Sequence, residues 1–162
     1  MNDTLVFPLT FVKEHGEQSV SAEVPSALFA GTLSEGELVG PVALDGVLRA
    51  ADDVALFDGA AKGKWRFECT RCLKPVDGGW NERIEAEAPI DGGPMDLTED
   101  VRQAIGLAQP MKTVCKPDCK GLCPTCRKDR NVVDCGHAEA LPDDTRAMKG
   151  VRPRLTPRPD KG

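Results

Sequence analysis

Seven cysteines and two histidines are the side chains in this 162-residue chain best suited to chemistry, and they are unevenly spread. Five cysteines and one histidine fall in a single run, Cys115-x3-Cys119-x3-Cys123-x2-Cys126-x8-Cys135-x-His137. An earlier pair, Cys69-Thr70-Arg71-Cys72, repeats the two-residue spacing of Cys123-Pro124-Thr125-Cys126. Two thiolates separated by two residues at a tight turn can face one ion, which is the knuckle of zinc ribbons. Gly121, just before the second pair, allows the backbone to approach closely.

An odd cysteine count fits a disulfide framework poorly, and Met-Asn-Asp-Thr at the N-terminus lacks the basic region and apolar stretch of a signal peptide. No apolar run approaches the ~20 residues of a membrane-spanning helix. The chain is therefore expected in the cytoplasm, where thiols stay reduced and metal is their common partner.

Seven cysteines plus His137 make eight ligands, enough for two closed tetrahedral zinc sites. The preferred partition joins Cys69 and Cys72 to Cys115 and Cys119, leaving Cys123, Cys126, Cys135 and His137 for a second site. The alternative places one zinc among the six ligands between 115 and 137 and leaves Cys69 and Cys72 reduced, redox-active or empty. Cys69 also has a plain reading as a buried apolar residue continuing the face of Trp65 and Phe67. A catalytic zinc would keep an open position beside an acid or base, and nothing resembles His-x-Glu or His-Glu-x-x-His. His15 has no ligand spacing. Structural zinc, one ion or two, with no enzymatic activity and no small-molecule substrate is the expectation. The competing function is a thiol redox or metal-handling protein, although a thioredoxin-like pair needs a βαβ setting.

The net charge of −5 divides unevenly: residues 1–110 hold 9 basic and 19 acidic side chains, residues 111–162 hold 12 and 7. Lys112, Lys116, Lys120, Arg127, Lys128 and Arg130 surround the proposed metal ligands, opposed by Asp118 and Asp129, and are the candidates for contact with nucleic-acid phosphates. Ligand thiolates are anions, so four around one zinc ion cancel part of that basicity. All 5 Phe and 2 Trp precede residue 81, which disfavours base stacking and favours backbone or shape contacts.

The elements that must position these groups read as α+β: an antiparallel sheet with one packed helix and a zinc-stapled, cysteine-rich C-terminal module. Leu5–Val12 reads as an edge strand because of Pro8, and residues 13–37 as a loop with one helical turn near Ala27–Ala30. Val42, Leu44, Gly46 and Leu48 alternate with Ala43, Asp45, Val47 and Arg49 as a half-buried strand. Turns are expected at Ala51–Asp53 and Asp58–Gly59, with a short strand Val54–Phe57 between them. Trp65, Phe67 and Cys69 alternate with charged residues, and after a loop from Cys69 to Gly79 so do Trp80, Glu82, Ile84, Ala86 and Ala88, which makes a hairpin with the first knuckle at its end. Asp96, with Glu99 three residues on, opens a helix whose Leu97, Val101, Ile105 and Ala108 form one stripe, and Pro110 ends it. Residues 1–110 thus form the sheet domain, 111–140 the zinc module, and 141–162 a disordered, basic, Pro-rich tail.

Phe67-Glu68-Cys69-Thr70-Arg71-Cys72-Leu73, then Met95-Asp96-Leu97 before a helix, then Cys115-Lys116-Pro117-Asp118-Cys119-Lys120-Gly121-Leu122-Cys123-Pro124-Thr125-Cys126 resemble the bacterial YceD family of large ribosomal RNA subunit accumulation proteins. The likeness runs from about residue 40 to 137. It implies a non-catalytic ribosome-biogenesis factor supporting synthesis, processing or stability of large-subunit ribosomal RNA. The implied partner is ribosomal RNA or the pre-ribosomal large subunit, with ribosomal proteins as further candidates; a rival reading is a protein-only adaptor whose acidic sheet binds basic ribosomal proteins. Where such sequences usually carry a glycine after the second knuckle and an Asn-Leu-Asn-like stretch, this chain has Arg127 and Asp129-Arg130-Asn131, and His137 stands where cysteine is common.

Overall fold

The computed structural model describes residues 4–137, so residues 138–140 of the expected module and the expected tail lie outside it. A four-stranded antiparallel sheet has the order β2 (Glu17–Val24), β3 (Glu37–Ala51), β4 (Val54–Glu68), β5 (Pro75–Pro89). Two short strands, β1 (Val6–Phe7) and β6 (Met95–Asp96), pair antiparallel beside it. Helix α1 (Thr10–His15) follows β1, a 3₁₀ turn Ser26–Phe29 follows β2, and helix α2 (Thr98–Leu107) follows β6. The antiparallel sheet with a packed helix stands as expected, and α1 is a second, shorter helix.

Period-two alternation builds the sheet. Even-numbered residues of β2, β3 and β5 and odd-numbered residues of β4 face one side, where Val20, Ala22, Val24, Val42, Leu44, Leu48, Phe57, Ala61, Trp80 and Ile84 are buried. Helix α2 covers this side with Leu97, Val101 and Ile105, each at most 1% exposed, and packs on β5. The Asp96 carboxylate accepts the Thr98 N–H at 2.9 Å, but the N-cap position falls to Leu97, which makes no side-chain cap, so Asp96 lies one residue ahead of the cap read from the sequence. Glu99 pairs instead with Arg102, so the reciprocal half of the capping box is not made. The opposite side of the sheet carries cross-strand ion pairs, among them Arg49–Glu17, Lys62–Asp45, Arg66–Asp77 and Arg83–Asp58.

Four sequence expectations change. Leu5–Val12 is not one strand: the chain turns at Pro8 into α1, where Leu9 and Val12 are buried one helical turn apart. Residues 17–24 are a full strand rather than loop, since Val20, Ala22 and Val24 alternate inward with polar residues outward. Asp58–Gly59 is not a turn but the middle of β4, which runs unbroken to Glu68. Finally, β5 begins at Pro75, so the loop at the hairpin's end is confined to residues 69–74 and is almost wholly the first knuckle. Fifteen-residue strands on either side give that knuckle a rigid mount.

Candidate metal centre

The two Cys-x-x-Cys turns share one backbone design. In the first, the Leu73 N–H donates to the Cys69 carbonyl at 2.9 Å and the Cys69 N–H to the Lys74 carbonyl at 2.8 Å. In the second, the Arg127 N–H donates to the Cys123 carbonyl and the Cys123 N–H to the Lys128 carbonyl, both at 2.8 Å. The residue after the second cysteine is left-handed each time, with φ 60° at Leu73 and 57° at Arg127. That conformation costs a residue with a Cβ roughly 1–2 kcal/mol and glycine little. Arg127→Gly is therefore expected to stabilise the fold by about 1 kcal/mol once glycine's extra unfolded-state entropy is subtracted, read as a higher thermal unfolding midpoint.

The structure gathers the eight side chains into two groups of four. Cys69, Cys72, Cys115 and Cys119 form one, and Cys123, Cys126, Cys135 and His137 the other; within each, the ligand atoms lie within 4.8 Å of one another. The sulfurs of Cys69 and Cys119 are 3.9 Å apart, those of Cys72 and Cys115 3.5 Å, and Cys123 Sγ lies 3.7 Å from His137 Nδ1. Tetrahedral zinc with Zn–S bonds of about 2.3 Å sets its sulfurs about 3.8 Å apart, so the donors present fit that ion in number, type and spacing. Cys69, Cys72, Cys119 and Cys123 are buried, Cys126 and Cys135 partly so, and Cys115 and His137 are exposed.

Electrostatics in the clusters also favours a cation. Burial works against ionisation of Cys69, yet the backbone N–H groups of Cys72, Arg71 and Cys115 outweigh it and hold the thiol at about 6. In the second knuckle the Cys126 N–H opposes burial and, with the Thr125 N–H, brings Cys123 to about 6. Cys115 is pushed up to about 12 by desolvation at its sulfur, although the residue reaches solvent, and by its neighbours Cys72, Cys119 and Cys69. Four sulfurs this close cannot all carry charge without a compensating positive ion.

Hydrogen bonds staple the C-terminal segment to the hairpin's end. Thr70 gives both its N–H and its hydroxyl to the Thr113 carbonyl, at 2.9 and 3.0 Å. Arg71 Nη1 donates to the Cys119 carbonyl at 2.8 Å, while the Arg71 carbonyl accepts the Leu122 N–H at 2.9 Å. Gly121, at φ +72°, sits where a Cβ would lie 2.9 Å from the Arg71 carbonyl oxygen, so this approach requires glycine. Cys69, Cys72 and Cys119 pack with Val76, Val114 and Leu122 as a buried cluster separate from the sheet core.

Of the proposed nucleic-acid contacts, Lys112, Lys116, Lys120, Arg127 and Lys128 are exposed and Arg130 is half-buried. Lys116 has Asp118 at 3.7 Å. Asp129 does not oppose the basic residues broadly. Lys74, 2.7 Å away, and the N–H and amide of Asn131 hold its carboxyl down at about 2. Sequence reasoning assigned no role to Arg71, Lys74 or Asn131. Arg71 sits inside a knuckle and was open to suspicion on that ground, whereas Lys74 and Asn131 act across distances that spacing does not encode.

Comparison with known proteins adds the following. Uncharacterized proteins of Mycobacterium tuberculosis and Mycobacterium bovis are each 30% identical over 100 residues, taking in 51% of this chain and 48% of theirs. One from Mycobacterium leprae is 26% identical over 114 residues, 60% of this chain and 52% of its own. The chain thus spans about half the length of the curated relatives it matches. No solved structure matches. A family model described as large ribosomal RNA subunit accumulation protein YceD matches residues 81–151, beginning later and running further than the likeness read from the motifs. Cys115, Cys119, Cys123, Cys126, Cys135 and His137 fall inside that match, and Cys69 and Cys72 precede it. Over residues 81–151, then, this chain is similar to the YceD family, the one its cysteine motifs resemble.

Proposed function

We propose that the protein is a non-catalytic factor supporting synthesis, processing or stability of large-subunit ribosomal RNA, with two structural zinc ions folding its C-terminal segment. The observation that carries this reading is the family match over residues 81–151, which takes in six of the eight ligand residues. Each group offers four protein donors, the number that closes tetrahedral coordination and leaves no position for a substrate. Zinc bound there supplies fixed geometry and charge neutralisation. The two thiols held at about 6, Cys69 and Cys123, are buried, each with three further donors within 4.8 Å, an arrangement suited to a metal ion rather than to attack on a partner disulfide, which counts against the thiol-exchange alternative. Lys112, Lys120, Arg127 and Lys128, exposed on a segment held rigid by metal, meet phosphate backbone in a salt-dependent way.

Ribosome-gradient fractionation with crosslinking tests it. The protein is expected to sediment with large-subunit precursors and to give RNA adducts between residues 112 and 130. Sedimentation with adducts only to ribosomal proteins turns the reading into that of a protein adaptor, and absence from these fractions overturns it.

A further inference from the structure

Asn131 belongs by sequence to one metal group and by contact to the other. It lies in the eight-residue loop between Cys126 and Cys135, both ligands of the second group. Yet its amide Nδ2 donates to Cys119 Sγ of the first group at 3.4 Å, and its Oδ1 accepts the Lys120 N–H at 2.9 Å. Asp129 holds this amide in place, its Oδ1 accepting the Asn131 N–H at 2.8 Å and Nδ2 at 2.7 Å. Lys74, two residues past Cys72, fixes Asp129 in turn. The Arg130 N–H reaches the Gly121 carbonyl at 3.0 Å, and Leu122 and Asp129 form an antiparallel bridge. A loop anchored at both ends by second-group ligands thus grips a first-group ligand.

We propose that Asn131 couples the two metal sites, so that filling the Cys123, Cys126, Cys135, His137 site tightens the Cys69, Cys72, Cys115, Cys119 site. The proposal rests on both groups binding metal. A filled second site fixes the loop ends, so the entropy of ordering residues 127–134 is already spent when the first site fills. The amide then stands ready to donate to the Cys119 thiolate, a type of outer contact whose loss typically weakens metal binding about 10–100-fold. Coupling of this kind is reciprocal, and filling the first site tightens the second by the same factor.

The test uses cobalt(II) in place of zinc, titrated into the reduced full-length chain after metal removal. Thiolate-to-cobalt absorption is stronger for four thiolates than for three, which separates the sites. Asn131→Ala is expected to weaken the four-thiolate site about 10–100-fold. Asn131→Asp, which keeps the acceptor for Lys120 but replaces the donor to Cys119, is expected to do at least as much. Cys126→Ser, which disables the second site, is expected to weaken the four-thiolate site too, and adding Asn131→Ala to it should then change that site little further. Wild-type affinity at the four-thiolate site in either single variant overturns the coupling. So does an Asn131→Ala effect of equal size with and without Cys126→Ser, because Asn131 is then only a local support. No cobalt uptake by the wild-type chain instead refutes the metal reading itself, and the coupling with it. Far-UV circular dichroism of the separately cored sheet verifies that each variant is folded.

Discussion

Cys123→Ala is expected to remove at least one metal ion per chain and to open the segment after Lys120 to proteases, while the sheet stays folded. Cys123 is 1% exposed, and its turn is closed by the Arg127 N–H to the Cys123 carbonyl and the Cys123 N–H to the Lys128 carbonyl. Met111, Val132 and Val133 are exposed, and the buried apolar cluster of this region consists of three cysteines with Val76, Val114 and Leu122 packed on them. Burial of that size does not order a segment of this length against chain entropy of about 1–2 kcal/mol per residue. Metal-coupled folding, worth about 10 kcal/mol or more in zinc-finger peptides, is of the size required, and the proposed zinc sites would supply it. Chelation is expected to produce the same protease sensitivity in the unmutated protein. Metal content per chain, limited proteolysis and circular dichroism of the sheet form the measurement; a Cys123→Ala protein with unchanged metal content and protease resistance would remove Cys123 from the ligand set.

The metal groups were legible because ligand chemistry is carried by a few residue types at short spacing. Cys123-x-x-Cys126 and Cys135-x-His137 are local, and the structure places their four donors together. The first group spans the gap from Cys72 to Cys115, which spacing leaves undetermined. What closes it is Thr70 and Arg71 bonding to Thr113 and Cys119, and a glycine at 121 that lets two backbones touch. Arg127 shows another limit. A left-handed position after a knuckle calls for glycine, and an arginine there conceals the turn from any reading based on residue preference. Asn131 was visible only as a departure from a pattern, since a side chain shared between two sites has no linear signature.

In the sheet, legibility followed the size of the inward residues. Trp80, Glu82, Ile84, Ala86 and Ala88 announced β5, and the stripe from Leu97 to Ile105 announced α2. Strand β2 escaped because its inward residues Val20, Ala22 and Val24 are small and separated by serine and glutamate, which reads as loop. Helix α1 has only six residues, too few for a 3.6-residue period to outweigh the strand preference of Phe11 and Val12. The misread turn at Asp58–Gly59 has a different cause: that glycine serves packing inside a strand.

Gly59→Ala is accordingly expected to destabilise the protein by about 2–3 kcal/mol, although strand propensity alone favours alanine over glycine. Gly59 pairs with Gly46 across β3 and β4, and the Phe57 ring lies over both. A Cβ at Gly59 would overlap the Asp45 carbonyl oxygen and come within 2.5 Å of Phe57 Cζ and 2.8 Å of the Gly46 Cα. Two of these three neighbours are backbone, which cannot swing aside, and Phe57 is 2% exposed in the sheet core. Trp80 over Gly63 and Trp65 over Gly78 repeat the arrangement between β4 and β5, an aromatic filling the space beside a glycine on the paired strand. Gly79 supplies the control. It lies in the same sheet on the exposed side, where a Cβ would meet only the Gly63 carbonyl at 3.6 Å. Gly79→Ala is expected to be neutral or to stabilise by up to about 1 kcal/mol through the lost flexibility of the unfolded chain. Urea unfolding midpoints of the two variants decide between packing and propensity. Equal midpoints would mean that the ring over Gly59 yields easily and that glycine there is incidental; a large loss confined to Gly59→Ala assigns it to seating Phe57 in the sheet core.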